Sequence, residues 1–232
     1  MKLRLTKIAI FVAALIPLAR LAWRALHDGL GANPIEFITH ATGDWTLIFV
    51  LTTLSITPLR RITRQYWLIG IRRMIGLFAF FYGTLHFLTY IWLDKFFDVH
   101  AMLKDIAKRP FITVGFSAFV LMIPLALTST AWSIRRLGGK NWQRLHRLIY
   151  FTGILAVVHY FWLVKADHRK PIEYGIVLSI LLLYRVGVWL SEKASERVSE
   201  KASEKASETA SEKRNHPATP APAPSRVEVT KA

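Results

Sequence analysis

MIGLFAFFYGTLHFLTYIW, residues 74–92, runs for nineteen residues without a formal charge. At about 1.5 Å of rise per residue such a helix crosses a hydrocarbon layer of about 30 Å, so the stretch reads as a membrane span. Well inside it lies His86. An imidazole at that depth is costly unless it has a partner or a ligand. A second apolar run, residues 148–164, carries His159.

Working outward from residues 74–92, five more runs qualify as spans: 8–26, 38–59, 111–131, 148–164 and 172–190. Pro17 and Arg20 interrupt the first, and Arg20 is near enough to the far end to snorkel. The first run resembles a signal peptide, but Pro17 lies in it and no small-x-small cleavage site follows, so it is expected to be a retained helix. Pro58 is expected to end the second span, and Pro124 to kink the fourth. Residues 94–109 mix Phe96, Phe97, Met102, Leu103 and Ile106 with charges, the pattern of a short interfacial amphipathic helix. Seven tryptophans, Trp45, Trp67, Trp92, Trp132, Trp142, Trp162 and Trp189, fall near span ends, as an interfacial aromatic belt requires.

The chain has 232 residues, 53% of them hydrophobic, with a formal net charge of +16. In a soluble protein that excess would suggest nucleic acid, but here the basic residues cluster between apolar runs, so no nucleic-acid partner is expected. Residues 2–7 carry three Lys or Arg, and the segments 60–73 and 135–147 carry five each; the segments after the third and fifth spans carry four and three. By the positive-inside rule both termini are expected in the cytoplasm, and an even number of spans agrees, since it puts them on the same side. The expected architecture is an all-α, six-helix integral membrane bundle over residues 1–190. There is no cysteine, which excludes disulfides, thiolate clusters and c-type haem attachment. Any metal must be held by histidine or oxygen.

From Ser191 the composition changes. Serine recurs at 191, 195, 199, 203, 207 and 211, each time followed by glutamate. A four-residue period drifts around a 3.6-residue helix and gives no buried stripe, so residues 191–232 are expected to form a solvated cytoplasmic tail, partly helical at first and disordered along PATPAPAPS.

His86 and His159 lie at matched depth, each about 18–22 Å from the basic cytoplasmic edge. Two helices side by side can therefore aim both imidazoles at one iron, as in six-coordinate bis-histidine haem. Gly76 and Gly83 fall near the His86 face, where a flat macrocycle could approach the backbone. His146 lies about 20 Å below His159 and about 140° round on an ideal helix, unless the helix bends or His146 precedes it. The position depth-matched to it on the third span is Arg72. His146 is left open between a single ligand, a propionate or flavin contact and a surface histidine. His40, His27 and His100 sit at outer span edges or loops, with His40 nearest the expected haem, and His168 and His216 read as surface residues.

Six stretches taken in order and spacing, GLGANPIEFITHATG (29–43), LTTLSITPLRR (51–61), RRMIGLFAFFYGTLHFLTY (72–90), KRPFITVGFSAF (108–119), LALTST (125–130) and GKNWQRLHRLIYFTGILAVVHYFWLVK (139–165), resemble the ferric reductase-like transmembrane domain family. Within it they are similar to the haem-binding membrane subunits of bacterial periplasmic methionine sulfoxide reductase systems. The resemblance implies haem b held by His86, His146 and His159, an associated FMN, and a bacterial inner-membrane location. It further implies a heterodimer with a periplasmic molybdopterin-dependent catalytic subunit. Electrons would pass from the quinone pool through haem b to that partner, where oxidised methionine is repaired, so catalysis lies in the partner. The tail after Ser191 departs from the pattern.

Two rivals stand beside this expectation. A proton-coupled transporter with buried histidines would want acidic residues in the histidine-bearing spans, and neither 74–92 nor 148–164 has one. A stand-alone ferric reductase-like cytochrome b would want a nicotinamide and flavin domain, and the sequence after residue 190 is low complexity.

Overall fold

The opening stretch folds as α3 (Ile69–Leu88), which continues into a π-helical turn at Thr89–Asp94. The structure is a computed structural model that describes residues 2–215, with side chains described for residues 4–211. His216 and the Ala/Pro-rich segment therefore lie outside the described residues. Among the described residues the chain is helical with no strand: α1 (Lys2–Leu26), α2 (Pro34–Thr63), α3, α4 (Val99–Lys108), α5 (Pro110–Leu127), α6 (Ala131–Leu137), α7 (Gly139–His146), α8 (Leu148–Leu163) and α9 (Arg169–Asn215).

Four stretches are long and apolar enough to cross a membrane: Arg4–Leu26, Tyr66–Asp94, Pro110–Leu127 and Arg169–Ser211. The other two expected spans form helices that miss that standard. Threonines and Asp44 dilute α2, and α8 has 16 residues, about 24 Å of rise. The apolar stretches carry exposed side chains such as Phe11, Ile16, Phe116 and Ile180, which a lipid environment would cover.

Two proline expectations are answered by side chains from other helices. Pro58 does not stop α2, which continues to Thr63 and ends at Arg64 with φ 57°. A proline at 58 has no N–H for the carbonyl of Leu54. Instead the Arg185 guanidinium donates to that carbonyl at 2.5 Å and to the Tyr150 hydroxyl at 3.1 Å. At Pro17 the ladder of α1 is opened one residue on. The Leu18 N–H donates to the Tyr82 hydroxyl at 3.2 Å, and that hydroxyl donates to the Ala14 carbonyl at 2.8 Å, bridging the gap with a buried phenol.

The basic segment 131–147, expected as a loop, is helical. It forms α6 and α7, separated at Gly138, whose φ of 74° suits glycine. His146 therefore ends α7 and precedes α8, while Arg72 and Arg73 lie inside α3.

The core lies where α2 packs along α3 and α5 along α8, with α3–α5 and α2–α8 contacts joining the two pairs. The chain divides into a unit of residues 1–185, which holds this core, and a unit of residues 186–232. Within the second unit, Ser191–Ser211 is exposed throughout, as a helix with no apolar stripe must be.

Candidate functional site: a histidine pair in an apolar cavity

Four core helices and α4 enclose a cavity of about 420 Å³. His86 enters it from α3 and His159 from α8. Their ring centroids lie 6.1 Å apart, at an interplanar angle of 78°. A metal–nitrogen bond is about 2.0 Å and the nitrogen lies about 1.1 Å from its ring centre, so two imidazoles on opposite sides of one metal have centroids about 6.2 Å apart. The matched depth read from the sequence thus becomes a separation that one iron would fit.

Each ring is also held in one tautomer. His86 Nδ1 lies 2.9 Å from the Thr39 carbonyl and His159 Nδ1 lies 2.6 Å from the Phe111 carbonyl. A carbonyl can only accept, so each Nδ1 carries the hydrogen and each Nε2 keeps a bare lone pair. That arrangement orients and strengthens a metal-ligating histidine.

Two glycines make room for the rings. A Cβ at Gly115 on α5 would fall 2.5 Å from His159 Nδ1, and one at Gly43 on α2 would fall 3.1 Å from His86 Cε1. Neither glycine stood out in the sequence, because what each faces depends on which helices pair. Of the two glycines the sequence did single out, Gly83 lines the cavity, while Gly76 faces Thr53 on α2. The deep wall is apolar and small, with Leu47, Val50, Ala118 and Ala156.

Polar side chains also line the cavity, among them His40, Asp44, Tyr90, Asp94, Arg109 and Tyr160. Asp44 is an acid that a search of the two histidine-bearing spans misses, because α2 supplies it. It is ion-paired with Lys170 at 2.9 Å. Among the described residues no group of three or more His, Asp or Glu could hold a bare metal ion. A haem needs only two axial ligands from the protein, since its macrocycle supplies the other four nitrogens.

His146 does not line the cavity. Its ring stacks on Trp142 at 3.8 Å, its Nε2 lies 3.0 Å from the Thr128 hydroxyl, and Arg72 is a neighbour. The Thr128 hydroxyl also lies 2.6 Å from the Pro124 carbonyl, which can take its single hydrogen. His40 does reach the cavity; His27, His100 and His168 do not line it, and His27 stacks on Trp23.

The profile of the ferric reductase like transmembrane component family matches residues 39–157, which includes His86 and His146 and stops two residues short of His159. The chain is similar to the protein-methionine-sulfoxide reductase heme-binding subunit MsrQ of Herminiimonas arsenicoxydans, with 58% identity over 197 residues, 84% of this chain and 90% of that protein. The protein of the same name from Bordetella pertussis is 53% identical over 190 residues, 81% of this chain and 92% of its own length. That of Ralstonia nicotianae is 55% identical over 190 residues, 81% and 88% respectively. No solved structure matches the chain.

Proposed function

The chain belongs to the MsrQ family of ferric reductase-like transmembrane components, and from that membership we propose that it carries electrons across the bacterial inner membrane to a methionine sulfoxide reductase. His86 and His159 are the axial ligands of one haem b in this proposal. The observation that carries it is the 6.1 Å ring separation with both Nδ1 hydrogens committed to carbonyls. When bound, the haem supplies reversible one-electron chemistry.

The residues present suit that group. Thr39 and Phe111 fix both imidazoles by their carbonyls, Gly43 and Gly115 leave space for the rings, and the apolar wall of α2, α5 and α8 excludes water. Six spans with both termini in the cytoplasm put the histidine pair in the outer half of the bilayer, near the side where a periplasmic partner docks. The electron source in the proposal is the quinone pool, and the partner is a molybdopterin-dependent catalytic subunit. FMN and a ligand role for His146 remain implications of family resemblance.

The experiment is a relay in solution. Purified protein is reduced with a water-soluble quinol analogue and then mixed with the periplasmic reductase and a peptide bearing methionine sulfoxide. The haem absorbance should show reduction by the quinol and reoxidation only when both reductase and peptide are present. A haem that the quinol reduces but the partner and peptide never reoxidise would contradict the proposed acceptor.

A further inference from the structure

A haem seated between His86 and His159 is apolar except for its two carboxylates, so these belong beside polar side chains of the cavity lining, of which Arg109 is the one Lys or Arg among the described lining residues. Tyr90 lines the cavity too, with Arg109 as a neighbouring charge. Tyr90 follows His86 by four residues, about 6 Å further along the helix and about 40° round. It sits in the π-helical turn Thr89–Asp94, a wide turn of the sort that recurs at functional sites. Its hydroxyl oxygen is buried and makes no well-formed hydrogen bond, although the Asp105 carboxylate lies beside it. A buried donor left unmatched is costly, and a ligand atom would relieve that cost.

Arg109 joins α4 to α5, two residues before Phe111, whose carbonyl holds His159. Its side chain is about half exposed, and its Nε forms a long ion pair with Asp105 at 3.6 Å, beyond hydrogen-bond distance. The acids nearby have other partners: Lys95 pairs with Asp105 at 2.7 Å and with Asp94 at 3.2 Å, and Lys170 pairs with Asp44. Arg109 is thus a cavity-lining cation whose fork of donors suits a carboxylate.

Building on the reading of His86 and His159 as axial ligands, we propose that Arg109 and Tyr90 together bind one propionate of the haem. Tyr90 is then fixed to the helix that carries His86, and Arg109 lies beside the Phe111 carbonyl that orients His159. The site selects a haem with a free carboxylate at this position.

The test compares protohaem with its dimethyl ester, which keeps the iron and macrocycle but lacks both negative charges. Full-length protein from a haem-deficient host is titrated with each in detergent. Wild type should bind protohaem about tenfold or more tightly than the ester. Arg109→Gln and Tyr90→Phe should each shrink that ratio severalfold by weakening protohaem alone, and Arg109→Lys should restore part of it. Equal binding of the two by wild type, or an unchanged ratio in both variants, overturns the proposal. If both macrocycles give a low-spin six-coordinate spectrum with equal affinity, only the propionate assignment fails. If neither does, the axial-ligand reading fails and takes this proposal with it.

Discussion

His86 and His159 each spend the Nδ1 hydrogen on a backbone carbonyl, while His146 stacks on Trp142 and meets the Thr128 hydroxyl through Nε2. That the first two rings come together was legible in the sequence, because spacing from a basic edge converts directly into ångströms along a helix. What cradles them was not, because Gly43, Gly115 and Asp44 become cavity residues only through the pairing of α2 with α3 and α5 with α8. The cradle makes a graded expectation. Gly115→Ala puts a methyl group 2.5 Å from His159 Nδ1, closer than any real contact, so the ring or α5 must move. Overpacking of that kind costs about 1–3 kcal/mol and breaks the bond to the Phe111 carbonyl. Gly43→Ala, at 3.1 Å, is expected to be milder. Haem content per chain after purification should fall steeply for the first variant and modestly for the second; the reverse order would mean that the rings sit elsewhere.

At the scale of elements, prolines misled the sequence reading in one place. Pro58 was expected to end α2, yet the helix continues because Arg185, 131 positions away, takes over the carbonyl that proline orphans. No local rule could have supplied that donor. The amphipathic pattern of residues 94–109 did lead correctly to a helix, and α4 places Met102 and Ile106 against the cavity. Lys95 fastens this helix through Asp105. That pairing holds the Asp105 carboxyl below its usual range and the Lys95 ammonium above its own, in each case chiefly through the hydrogen bond between them. The Asp105 contribution is present above the ordinary aspartate value of about 3.9 and is lost as pH falls through the lowered one. The Lys95 contribution is present below about 10.4 and is lost as pH rises through the raised one. A spin label at position 104 should therefore show constant mobility from about pH 5 to 9 and loosen below about pH 4. Mobility rising through neutral pH would assign the fastening to another group.

Across the whole molecule, composition and hydropathy led to an all-helical membrane protein, and four stretches of the structure meet the length and apolarity that crossing demands. The α2 and α8 helices do not meet it, since threonines and Asp44 lower the apolarity of α2 and α8 has only 16 residues. The asymmetry of the basic segments predicts the orientation. Reporter fusions after Arg61, Lys140 and Ser191 should report cytoplasm, and fusions after Asn33 and Asp98 should report periplasm. A cytoplasmic result at Asp98 would move the histidine pair to the inner half of the bilayer and turn α4 away from any periplasmic partner.

In this proposal His86 and His159 hold one iron between them, and the low-spin six-coordinate haem signal of purified variants reports that pairing. His86→Ala and His159→Ala should each abolish that signal, and the double variant should be little worse than either, because the two imidazoles act as one unit. His146→Ala should leave it intact, since His146 lies outside the cavity. A low-spin signal that survives His86→Ala and disappears in His146→Ala would contradict the pairing on which the account rests.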